Sequence, residues 1–219
     1  MSEPESLNEV EPLVRHIARH NYDRLLMLSD GVFAIAITLL ALELKVPEQW
    51  DGTLADLLRQ SWRSIFAFLF GFGVVGLFWA AHRRMFAKLT AADVPLTVIN
   101  LFLLCLVSLT PAVAELLATH GPAKGISYYF ALFAAIGVTQ LLLWSYAVFV
   151  GRLAHSDLTV HGARLELLRL SIPAIVGTGM TLALGLGVTM EDRWALPLLL
   201  FIVVPTALLR RRLHRRAAA

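Results

Sequence analysis

The 219-residue sequence has a single cysteine, Cys105, so no disulfide can form within one chain. Charge is scarce: Asp, Glu, Lys and Arg make up 16% of residues, against about 25% in soluble globular domains. The first residues include Glu3, Glu5, Glu9 and Glu11, and no apolar run follows directly, so the start does not read as a secretory signal. His120, His155 and His161 fall in connecting segments without cysteines or carboxylates at ligand spacing. No metal site, no cofactor and no enzyme activity are expected from them. No internal repeat is visible, which removes the support that the inverted-repeat architecture of many secondary transporters would need.

What the chain has in abundance is apolar sequence, 58% of all residues, gathered in runs of about twenty, the length a helix needs to cross about 30 Å of hydrocarbon. The expected fold is an all-α integral membrane protein with six transmembrane helices per chain and no soluble domain. The spans are placed at 25–45, 62–82, 95–118, 126–150, 166–189 and 194–210. A polar arm over 1–20 precedes a membrane unit over 21–212, and a basic tail over 213–219 follows. The segment around Trp50, Asp51 and Gly52 and from Leu54 to Leu58 is a candidate for a short interfacial helix. Fourteen of the nineteen Lys and Arg residues fall in or next to the N-terminal arm, the second–third and fourth–fifth loops, and the C-terminal run of five arginines between Arg210 and Arg216. The positive-inside bias then puts both termini on the cytoplasmic side of the cell membrane. The net charge of +3 reads as juxtamembrane anchoring to the lipid bilayer, not as nucleic-acid binding.

The first span is unusual. Arg24, Ser29 and Asp30 stand near its inner end, where polar groups are costly and usually face protein or water. A helix capped by Ser29 or Asp30 would run only about 24 Å to Lys45, short for a bilayer. A longer helix is expected instead, with Asp30 paired to a cation or donor from another span. Ile35, Leu39 and Leu42 recur at i, i+4 and i+7, with Thr38 beside them and Gly31 extending the stripe inward. Periodicity alone leaves lipid or core packing as the ordinary reading of these residues. Trp79 and His82 lie one turn apart at the inner end of span two, and Asn100 sits at similar depth in span three. An aromatic-belt anchor and an interfacial histidine are their ordinary readings. Taken together with Arg24, Ser29 and Asp30, they point to a hydrogen-bonded cluster, one that histidine would make sensitive to pH.

The stretch Ser29-Asp30-Gly31-Val32-Phe33-Ala34-Ile35-Ala36-Ile37-Thr38-Leu39-Leu40, followed by Leu42-Glu43-Leu44, resembles the signature of the transmembrane protein 175 family of potassium channels, in particular its prokaryotic single-unit members. Arg24, Trp79, His82 and Asn100 match further family positions. Leu28 stands where a phenylalanine is common, and Arg83 where many members have a second histidine. The resemblance implies a potassium-selective cation channel of modest selectivity, built as a homotetramer. The first helix of each chain would line the pore, with Ile35, Thr38, Leu39 and Leu42 at the constriction. Arg24, Ser29, Asp30, Trp79, His82 and Asn100 would form an inter-helix polar network. The family has no Thr-Val-Gly-Tyr-Gly filter, and none is present here. The alternative is a proton-conducting pore or a secondary transporter, since Asp30 and His82 are titratable groups inside apolar spans.

Overall fold

The structure, a computed structural model, describes residues 5–187. Every regular element among them is helical, and five stretches are long and apolar enough to cross a membrane. The expected sixth span at 194–210 and the basic tail lie outside the described residues.

Helix α1 runs unbroken from Glu5 to Leu39 and tightens into a 3-10 turn over Leu40–Glu43. Most of the expected polar arm is therefore helical and continuous with the first span. Ser29 and Asp30 lie deep inside α1, so neither caps it. Ser29 instead donates its hydroxyl to the Leu25 carbonyl one turn back, at 2.8 Å, a common way of satisfying a hydroxyl within a helix. Leu25, Ser29, Phe33, Ala36 and Leu40 are buried at helical spacing and pack α1 against the rest of the chain.

Helix α2 spans Leu54–Phe86, longer than the expected 62–82. Of the segment proposed as a separate interfacial helix, Leu54 to Leu58 are its start, and Trp50, Asp51 and Gly52 precede its cap without being helical. Asp51 accepts from the Thr53 backbone and hydroxyl at 2.8 and 2.7 Å. The Thr53 side chain in turn accepts from the Asp56 backbone N–H and caps the helix, so the segment has no free end of its own.

The expected third span divides into α3, Val94–Ser108, and α4, Thr110–His120, separated at Leu109. Asp93 caps α3 through the Leu96 N–H at 2.9 Å, with Pro95 in its first turn. The break follows from Pro111, which has no N–H to give the carbonyl four residues back. Leu109 N–H meanwhile turns to the Leu106 and Val107 carbonyls, three and two residues back.

Helix α5, Pro122–Ser145, ends in a π turn over Tyr146–Val150. Helix α6 covers Val160–Gly185, starting earlier than the expected 166 on the Thr159 cap. These two helices approach at backbone distance. A Cβ at Gly137 would sit 2.7 Å from the Ala174 nitrogen, and one at Gly177 would sit 2.7 Å from the Ala134 Cα. Small residues at both contacts give the close packing that holds helices together where no water is expelled.

At one end of the bundle, the α2–α3 and α5–α6 connections are clasped to each other. Thr90 N–H and hydroxyl both donate to the Leu153 carbonyl, at 2.8 and 3.0 Å, and His155 N–H donates to the Lys88 carbonyl at 3.0 Å. Tyr146 hydroxyl donates to Asp93 at 2.6 Å, which ties the π turn to the cap of α3.

Candidate functional site: an unpaired stripe on the first helix and the polar groups behind it

The face of α1 opposite its buried residues is open. Ile35 is 59% exposed, Leu39 41% and Leu42 68%, and Thr38 and Gly31 are exposed with them. An apolar helix face left bare within one chain needs lipid or a partner. The 3-10 turn changes the stripe in a way that α-helical counting did not foresee. Residues three apart eclipse in a 3-10 helix, so Leu42 stands almost directly over Leu39 and does not drift around the axis. Thr38 donates its hydroxyl to the Ile35 carbonyl at 2.9 Å. That leaves its oxygen lone pairs free to accept.

Behind this face, the six expected polar residues fall into three groups. The first is a buried chain. Asn100 Nδ2 donates to Ser29 Oγ at 2.9 Å, and Asn100 Oδ1 lies 2.9 Å from His82 Nε2. A carbonyl oxygen only accepts, so His82 carries a proton on Nε2 in this arrangement. All three residues are buried. His82 is no water-touching interfacial residue: its ring stacks on Phe86 at 4.3 Å and tilts against Phe33 at 5.5 Å. The second group is a pair nearer the surface. Trp79 Nε1 donates to Asp30 Oδ1 at 2.8 Å, which is the donor from another span that Asp30 called for. The Arg83 guanidinium lies 4.9 Å over the Trp79 ring. Arg83 entered the sequence reading only as a departure from the family pattern, though its i+4 spacing from Trp79 was the available signal. The third group is Arg24 alone. It is exposed and has no hydrogen bond or ion pair among the described residues.

These polar contacts lock α1 to α2 and α3 on one side while its other side stays bare. The arrangement defines a multi-pass helical membrane protein whose first helix is held rigidly and shows an unused apolar face.

Comparison with known proteins supplies the family. A family model described as the endosomal/lysosomal potassium channel TMEM175 matches residues 24–111. A potassium channel of Streptomyces collinus is 31% identical over 164 residues, spanning 72% of this chain and 78% of that one. A potassium channel of Chamaesiphon minutus is 39% identical over 133 residues, spanning 57% of this chain and 65% of that one, just under two thirds of its length. The crystal structure of a lysosomal potassium-selective channel TMEM175 homologue from Chamaesiphon minutus superposes with a TM-score of 0.71 at 28% identity, covering 86% of this chain and 97% of that one. The human relative, 30% identical over 130 residues that span 25% of its length, is named an endosomal/lysosomal proton channel. The chain belongs to the TMEM175 family, a family of ion channels.

Proposed function

We propose that this protein is a potassium-selective cation channel of the cell membrane. Four copies assemble around a central pore lined by α1 of each. Both termini are cytoplasmic, six spans make up each chain, and no cofactor is needed beyond the permeant K⁺. The observation that carries the reading is the bare stripe of Ile35, Leu39 and Leu42, set opposite the packed face of the same helix. One chain supplies one side chain per layer, so rotational symmetry is what closes each layer into a ring.

Rings of isoleucine and leucine offer no ligands. An ion passing them sheds part of its water, and K⁺ does so more readily than Na⁺. Such a constriction prefers K⁺ modestly and closes by dewetting. Thr38 is suited to ease the passage, because its oxygen still accepts or ligates after its proton is used within the helix. The polar groups behind α1 keep the stripe from rotating away from the axis.

The test is K⁺ flux from liposomes holding the purified chain, with voltage clamped by a protonophore. Faster K⁺ than Na⁺ flux is expected, and Ile35→Asn should wet the constriction and raise cation flux. Unchanged flux in Ile35→Asn removes that residue from the pore. Proton conduction is a second reading, favoured by the titratable Asp30 within α1 and by the name of the human relative. Proton entry without K⁺ flux, measured with the protonophore omitted, would establish it in place of the first.

A further inference from the structure

Glu166 is 1% exposed in the second turn of α6, yet three cations converge on it. Lys88 Nζ reaches its Oε2 at 2.5 Å and Arg169 reaches the same oxygen at 3.5 Å, while Arg84 Nε stands 3.9 Å from Oε1. Lys88 also lies 5.5 Å over the Trp144 ring, which fixes its direction. A buried carboxylate requires a cation and hydrogen bonds to offset its desolvation; Lys88 and Arg169 supply both at Oε2, while Oε1 has no hydrogen-bond partner among the described residues. Arg84 supplies none, since its separation is too long for a hydrogen bond. The local formal charge is therefore two positive, and it faces outward: the Arg84, Lys88 and Arg169 side chains are 51%, 31% and 29% exposed while the acid is closed off.

We propose that Arg84, Lys88 and Arg169, gathered by Glu166, form a site for the phosphate headgroup of an anionic membrane lipid. The cations come from the last turn of α2, the segment just past it and the first turns of α6, so the cluster sits at the bundle end where the two connections are clasped, the depth of headgroups. Leu165, Leu168 and Ile172, within one turn of Arg169 on α6, are exposed. They give an acyl chain an apolar track running directly from the charged cluster, a feature a free phosphate ion would not use. Basic pockets between helices at a membrane face are suited to such lipids. The inference does not depend on which ion the pore passes.

The test is thermal melting of the full chain in neutral detergent with added phosphatidylglycerol, phosphatidylcholine or inorganic phosphate. Native mass spectrometry counts the lipid retained. Phosphatidylglycerol is expected to raise the melting temperature and stay bound where phosphatidylcholine does not. Arg84→Gln should weaken its apparent affinity about fivefold, the effect of one basic residue near a membrane surface. Arg169→Gln should act in the same direction. Arg84 is half exposed and makes no side-chain hydrogen bond among the described residues, so its variant should fold even if Arg169→Gln does not. Equal stabilisation by both lipids, or an Arg84→Gln chain that keeps the full preference for phosphatidylglycerol, overturns the proposal. Stabilisation by inorganic phosphate equal to that by phosphatidylglycerol assigns the site to a free anion and overturns the lipid.

Discussion

The contact of α1 with α2 and α3 and the contact of α5 with α6 belong to one bundle and use opposite materials. The first is held by side chains that reach: Asn100 to Ser29 and His82, and Trp79 to Asp30. The second is held by side chains that are missing, at Gly137 and Gly177, where backbones nearly touch. In a bilayer neither seam gains from expelling water, so directional bonds and close packing are what remain. Hydrogen bonds between helices fix rotation, because they are directional and turning the helix carries donor and acceptor apart. Close packing fixes separation and tolerates sliding. The helix that keeps a bare stripe is the one whose rotation is fixed.

Substitutions can break the contrast from either side. The largest effect is expected at Gly177→Leu, where the new side chain starts 2.7 Å from backbone atoms of α5. Overpacking of this kind should remove about 3 kcal/mol of stability, read by thermal or denaturant unfolding in detergent. Gly179→Leu on the same helix, where nothing stands within 4 Å, is the control and should melt like the parent. Asn100→Leu comes next. It leaves Ser29 and His82 without their partner and should lose about 2 kcal/mol, with ion flux altered because α1 is no longer held in rotation. A double-mutant cycle of Ser29→Ala with Asn100→Leu should show coupling, and purely additive losses would contradict the chain of bonds. The smallest change is expected for Trp79→Phe. It removes one hydrogen bond near the surface and should lose about 0.6 kcal/mol, with the melting temperature nearly unchanged.

How far the sequence spoke follows from the same contrast. Ser29, Asp30, His82 and Asn100 were visible because polar residues stand out in apolar runs, and in the structure Asn100 bonds Ser29 and His82 while Asp30 bonds Trp79. Arg24 looked like their companion by depth, yet it is exposed and bonds to none of them, because depth along a helix does not specify azimuth. Gly137 and Gly177 were plain glycines until α5 and α6 were seen together, since a close approach is a property of two segments. Glu166 carries no signal in the sequence that singles it out, and only the fold shows Lys88 reaching it from 78 residues away. Pro111 lies inside the expected third span. That it divides the span into two helices depended on how Leu109 and its neighbours bond locally.

The clasp between the two connections also has a bearing on how the protein is made. The bonds linking Ser29, Asn100 and His82 can all form once residue 100 has entered the membrane. Thr90 must wait for Leu153, 63 residues later, and Lys88 for Glu166, 78 residues later. At translation rates of about 5–20 residues per second, that second wait lasts roughly 4–16 s. During this interval Lys88 and Arg84 at the end of α2 are without the Glu166 carboxylate. The growing chain therefore completes its rotational lock first and closes its clasp afterwards, an order written into the spacing of the partners along the chain.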